Sequence, residues 1–213
     1  MSDDYPPIVG RVLRASTRGF DCGAHSRSIN NNHDFGIFVK APVANSDDCW
    51  AIGLIYKVEI KDDQLIAELV LGDGVPDNIL RDQRDNRMIP VEVKVLCVGY
   101  MLTGDSNYYV HSLPPRPPMS LSDVLACSAE EIYDFTHHSA DRARLDFFRL
   151  VLQASEVPSD DLIAAAIKYS ATIFADDSAH YEFLVQCGRR LARDLSHDMK
   201  RLAHILALIE PAR

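Results

Sequence analysis

The chain has 213 residues, room for one large domain or two small ones. Its 47% hydrophobic and 25% charged residues exclude disorder along the whole length. The net charge is -9, with 12 basic against 16 acidic side chains in residues 1–118 and 10 against 15 in residues 119–213, so neither half has the basic balance of a nucleic-acid-binding domain.

The five cysteines are odd in number and widely spaced, with no CxxC pair. That pattern fits reduced intracellular thiols better than a disulfide framework. The N-terminal MSDDYPP is acidic and has no apolar stretch, so no signal peptide is expected there. No run approaches the ~20 apolar residues of a membrane span. The expected location is the cytoplasm, without membrane association.

Residues 8–16 contain Val9, Val12 and Leu13 in a strand pattern, with Gly10 marking a bulge or a close backbone approach. Residues 25–34, with three consecutive asparagines, read as a loop. FGIFVKAPV (35–43) and WAIGLIYKVEI (50–60) read as strands, the second alternating apolar with charged residues from Tyr56 onward. Residues 64–71 fit helix or strand, and residues 77–86 a short helix. VEVKVLCVGYML (91–102) is the longest strand. The turn signal at 103–107 lets Tyr108, Tyr109, Val110 and His111 return as its hairpin partner. Short strands separated by turns predict a small closed barrel, which leaves no exposed edges.

LPPRPP (113–118) interrupts regular structure, because consecutive prolines favour an extended polyproline segment. A stiff linker is favoured over a docking motif for an aromatic groove. Helices are predicted after it. Ser128 and Glu131 form a capping box opening a helix through Phe135. Leu145, Phe148 and Leu152 recur at helical spacing. Ser159 is the expected cap of a helix carrying Leu162, Ala166, Tyr169 and Ile173. Leu184, Cys187, Leu191 and Leu195, then Leu202, Ile205 and Ile209, complete the array. The predicted fold class is α+β: a β-barrel domain over 1–113, a proline-rich linker over 114–118 and an all-helical domain over 119–213.

The sequence has no GxxxxGKS/T loop, no GxGxxG after a strand, no GxSxG elbow and no HExxH pair. No cofactor, catalytic residue or metal site is therefore expected. Cys22, His25 and His33 come nearest to metal-ligand spacing, but a zinc site would need a fourth ligand from elsewhere. The pairs Asp47–Asp48, Asp62–Asp63, Asp160–Asp161 and Asp176–Asp177 sit where acids suit turns and helix starts. Two basic sets remain. Arg81, Arg84 and Arg87 recur at three-residue spacing, interleaved with Asp82 and Asp85, which suits pairing with a protein surface. Arg189, Arg190, Arg193, Lys200 and Arg201 make the last helices mildly basic, with a solvated face as the bland reading of both sets.

IVGRVLRAST, GIFVKAPV, WAIGLIYKVEI and IPVEVKVLCVGY together resemble the HAS-barrel, the small β-barrel shared by HerA-type DNA translocases and rotary ATP synthases. The whole chain, including DQRDNRMIPVEV and LPPRPPMSL, is similar to small bacterial HAS-barrel proteins with a helical tail. The resemblance implies an assembly module linked to a HerA-type ATPase or its nuclease partner NurA in DNA-end processing. In those ATPases the barrel ties neighbouring subunits together and the motor follows it. Here no phosphate loop follows and a helical tail takes the motor's place, so a non-enzymatic accessory protein is expected, and self-association stays open. Partner binding is assigned to Arg81, Arg84 and Arg87, with weak direct DNA binding. The alternative is a nucleic-acid-binding barrel acting alone.

Overall fold

The computed structural model describes residues 6–61, 89–139 and 142–209, together with 76, 77 and 81. Six antiparallel strands close a barrel, β1 (Ile8–Ala15), β2 (Gly19–His25), β3 (Phe38–Pro42), β4 (Cys49–Ile60), β5 (Pro90–Leu102) and β7 (Asp123–Ala126). The order runs β2-β1-β7-β3-β4-β5, and β5 returns to pair with β2. The short strand β6 (Tyr108–Val110) pairs with the far end of β5, Tyr100 opposite Val110, as the hairpin signal predicts. The predicted barrel is present.

Alternation explains both faces of the wall. Val9, Val12, Val39, Ile55, Val93 and Val124 point inward and, with their neighbours, fill the barrel with apolar side chains. On the outside, Phe38, Ile52, Leu54, Leu96, Val98 and Met101 are equally buried, because the helical layer covers them. This is why β5 alternates with charge at its start and turns apolar on both faces further on: its first half faces solvent and its second half lies under helices. Gly10 sits at a register shift between β1 and β7, and a Cβ there would stand 2.5 Å from the Gly23 carbonyl oxygen. The close approach expected of Gly10 is present.

The segment after residue 118 is helical only in part, which corrects the all-helical expectation. β7 follows the prolines, lies between β1 and β3, and closes the barrel. The proline segment runs along the wall between two strands of one sheet. Val43 bridges to Pro118, the Ala44 N–H donates to the Pro117 carbonyl at 3.0 Å, and the Met119 N–H donates to Pro42 at 2.8 Å.

Helix α1 (Ala129–Thr136) starts at the predicted capping box: Ser128 Oγ accepts from the Glu131 N–H and the Glu131 carboxylate from the Ser128 N–H. A small hairpin follows, β8 (His137–Ser139) with β9 (Arg142–Ala143), where helix had been expected. His137 and His138 lie on β8, and the His137 ring stacks on Tyr133 at 4.3 Å. Helices α2 (Phe148–Leu152), α3 (Ser159–Ala171), α4 (Asp177–Asp194) and α5 (Met199–Ile209) complete the layer. Pro158 rather than Ser159 is the cap of α3, its ring fixed φ suiting the entry. Helix α3 buries Leu162, Ile163, Ala166 and Ile167 because it touches β4, α2, α4 and α5 together. In α4 the buried stripe is Phe183, Cys187 and Leu191, with Leu184 only half-buried.

Barrel and helices share one core. Phe38 of β3 meets Phe135 of α1 and Phe147 edge-on, both at 5.8 Å, and Phe147 meets Phe148 at 4.9 Å. His111 is buried at this seam. Its Nε2 lies 2.8 Å from the Phe135 carbonyl, and the Phe147 N–H donates to its Nδ1 at 3.2 Å.

Gly36 joins the layers at the level of backbone. Its φ is +88°, and an added Cβ would stand 2.5 Å from the Ala165 Cβ on α3. Gly36→Ala is expected to cost roughly 2–4 kcal/mol through backbone strain and overpacking. Gly104, whose Cβ would find its nearest neighbour at 3.7 Å, is the control and should change stability little. Urea midpoints of the two variants check this, and equal midpoints would refute it.

Candidate functional site

Of the predicted partner-binding arginines, Arg81 is exposed and helical, one turn after the exposed, helical Asp77. Arg84 and Arg87 lie outside the described residues, as do residues 62–70 and the pair Asp62–Asp63.

Cys22, His25 and His33 do not converge. Cys22 and His25 are three residues apart on β2, an odd spacing that sends one side chain into the barrel and the other to solvent. His33 Nε2 sits 2.9 Å from the Val9 carbonyl instead. Among the described residues, no group of three or more His, Cys, Asp or Glu side chains is placed to hold a metal. All five cysteines are free and buried. Burial pushes the Cys22 and Cys97 thiols up to about 12 and raises those of Cys127 and Cys187 as well, so they stay protonated. The acidic pairs in the described residues serve local structure. Asp176 caps α4, its Oδ2 accepting from the Ala179 N–H at 2.8 Å, and Asp160 and Asp161 occupy the first turn of α3.

One side of the barrel is not covered by the helices among the described residues. Around β1 and the loop that leads into β7, Leu13 is 53% exposed and Leu121 is 74% exposed, with Met119 exposed in the same loop and Ile8 exposed at the far end of β1. The Leu121 N–H donates to the Val12 carbonyl at 2.9 Å, which fixes the loop on the strand beside Leu13. Leu121 also has φ +64°, a left-handed conformation that an L-residue with a Cβ takes at a cost. Charged groups surround these leucines. Arg11 Nε lies 3.0 Å from Asp123, and Arg14 bridges Asp21 at 2.5 Å and Glu92. Glu92 also receives Lys61 at 2.8 Å, and that hydrogen bond, followed by the nearby cations, holds its carboxyl below the ordinary range. The wall thus presents apolar side chains within a rim of paired charges.

The basic residues of the last helices divide by partner. Arg201 is tied to Asp160 at 2.6 Å and to Ser159 Oγ at 2.7 Å. Arg189, Arg190 and Arg193 face the β9 end of the hairpin, where they meet Arg142 and Arg144. The last two were missed in the sequence because that stretch reads as helix. The signal was the alternation Arg142-Ala143-Arg144, which on a strand puts both guanidinium groups on one face.

No known family model matches the chain, and no curated protein matches its sequence. Among the described residues, no helix is long and apolar enough to cross a membrane.

Proposed function

We propose that this protein is a non-enzymatic accessory module that docks on a protein assembly through the bare wall of its barrel. The resemblance of its strands to the HAS-barrel makes the partner a HerA-type ATPase or its nuclease partner NurA, in DNA-end processing in the cytoplasm. The supporting observation is Leu121. A leucine held at φ +64° and 74% exposed incurs backbone strain of about 1–2 kcal/mol and gains almost no burial in the free protein. A partner that covers Leu13 and Leu121 supplies that burial, and the ion pairs of the rim supply orientation. Arg81, Arg84 and Arg87 form the second candidate contact. Duplex DNA binds weakly in this reading, since the net charge is -9.

The test is complex formation between the purified chain and the HerA-type ATPase or NurA of the same cell, read by light scattering. Leu121→Gly should keep or raise the urea midpoint, because glycine accepts this backbone without strain, while complex formation falls. Leu13→Asp should also abolish binding with unchanged circular dichroism. If both variants bind as the parent does, the interface is elsewhere. Reversing Arg81, Arg84 and Arg87 to glutamate then probes the second contact. No complex with either protein at micromolar concentrations overturns the partner assignment.

A further inference from the structure

We propose that the cleft between β9 and α4 is a binding site for a compact small molecule carrying two or more phosphate groups. It stands apart from the barrel wall and does not depend on the partner reading.

The cleft is built by two elements of different period. Strand β9 and the residue after it put Arg142 and Arg144 on one face, and helix α4 brings Arg189 and Arg193 together one turn apart with Arg190 beside them. The hairpin is fastened to the helix, since the Ala143 N–H donates to Gln186 Oε1 at 2.8 Å. The Arg144 N–H donates to the Thr136 carbonyl at 2.6 Å. The open cleft has a volume of about 460 Å³, within the ~300–1,000 Å³ usual for small-ligand sites.

Five arginines converge here on a protein of net charge -9, and among the described residues only Asp146 and Glu182 line the cleft with negative charge. Arg190 is held in place by Asp146 at 2.6 Å and Asp194 at 2.7 Å. The Arg190 hydrogen bond keeps the Asp146 carboxyl below its ordinary range, so that pair stays ionised at neutral pH. Arg189 approaches Glu182 only to 3.9 Å. Among the described residues the close ion pairs of the cleft go to Arg189 and Arg190, while Arg144 acts on Asp146 only at longer range and Arg142 and Arg193 have no close ion pair. Three guanidinium groups therefore face one space without a close ion pair to any described carboxylate. Bringing like charges together is unfavourable unless an anion bridges them, and the planar donor fork of arginine matches phosphate oxygens two at a time.

The same observations separate a small polyphosphate from a nucleic-acid strand. No Phe, Tyr or Trp lines the cleft among the described residues, and the single imidazole of His138 gives successive bases no run of rings to stack on. Elsewhere among the described residues Arg11, Arg14, Lys40, Lys61 and Arg201 are tied to carboxylates, whereas a strand needs a basic track along its backbone.

Tripolyphosphate is the probe, titrated into the full chain by calorimetry at ~0.1 M salt. Saturable binding is expected, with a raised melting temperature. Arg144→Gln and Arg193→Gln should each weaken it by about tenfold or more, as loss of a charge-assisted contact does. Arg201→Gln, outside the cleft and tied to Asp160, should leave it unchanged. No heat from tripolyphosphate, or binding that the cleft variants leave intact, overturns the proposal. A single-stranded oligothymidine that binds through the same arginines more tightly than tripolyphosphate also overturns it, in favour of a nucleic-acid surface.

Discussion

A chain ended at Pro118 is expected to be insoluble or molten rather than an independent barrel. The cut removes β7, which hydrogen-bonds to β1 on one side and β3 on the other, so both strands become open edges. It also uncovers the outer wall, where Phe38, Ile52, Leu54, Leu96, Val98, Met101 and Tyr109 are buried under the helical layer. At ~1.5–3 kcal/mol for each such side chain, that loss is on the order of 10–20 kcal/mol. A domain has a net stability of only ~5–15 kcal/mol, so the loss is decisive. Soluble fraction on expression, dye binding and thermal unfolding of the truncated and full chains check it. A soluble monomer with a cooperative transition would show that residues 1–118 fold alone and that the shared core is dispensable.

Acidification should destabilise the protein through His111 before its carboxylates titrate. Burial at the seam between barrel and helices pushes the His111 imidazole down to about 4 from 6.5, although the Phe135 carbonyl acts in the opposite direction. Neutral His111 is satisfied on both nitrogens: Nε2–H donates to Phe135 and Nδ1 accepts from the Phe147 N–H. A second proton would occupy Nδ1 and turn that hydrogen bond into two opposed donors. Because the folded form holds the proton less tightly than the unfolded form, the contribution is complete above pH ~6.5. It falls as pH drops toward 4 and changes no further below that. The interval corresponds to roughly 3 kcal/mol. His137, also lowered chiefly by burial, adds in the same direction. Urea midpoints between pH 7.5 and 4.5 should therefore decline in the parent chain. His111→Gln should be less stable at pH 7.5, with a flatter decline. An equal slope in parent and variant would remove His111 as the cause.

The strands with a clear period were legible from the amino acids. β4 and β5 alternate or run apolar over long stretches, and the turn at 103–107 marks the β5–β6 hairpin. The capping box at Ser128 marked α1 because it is a local signal that needs no tertiary context. β2 was hidden because GFDCGAH has two glycines and few β-branched residues, and pairing with both β1 and β5 holds it extended. β7 was hidden for a different reason. Four residues, DVLA, have too little length to show a period, and they are a strand only because two distant strands flank them. The bare wall around Leu13 and Leu121 was equally invisible, since which apolar residues stay uncovered depends on where the helices dock. Of the five cleft arginines, three could be read: Arg189, Arg190 and Arg193 are obvious on a helix, but Arg142 and Arg144 cross over from a hairpin.

The position of β7 also dictates an order of folding. Arg11 on β1 pairs with Asp123 on β7 across 112 positions of sequence. During synthesis, β1 and β3 must wait, unpaired on their facing sides, until the last barrel strand leaves the ribosome. Contacts of such span are slow to form, and the waiting edges are open to other chains in the meantime. The proline segment shortens that search. By lying along β3 through Ala44 and Met119, it delivers β7 to the gap already aligned. Replacing the prolines of 114–118 with serine would therefore slow refolding more than it lowers equilibrium stability, because it loosens the guide and leaves the closed barrel's strand pairs in place.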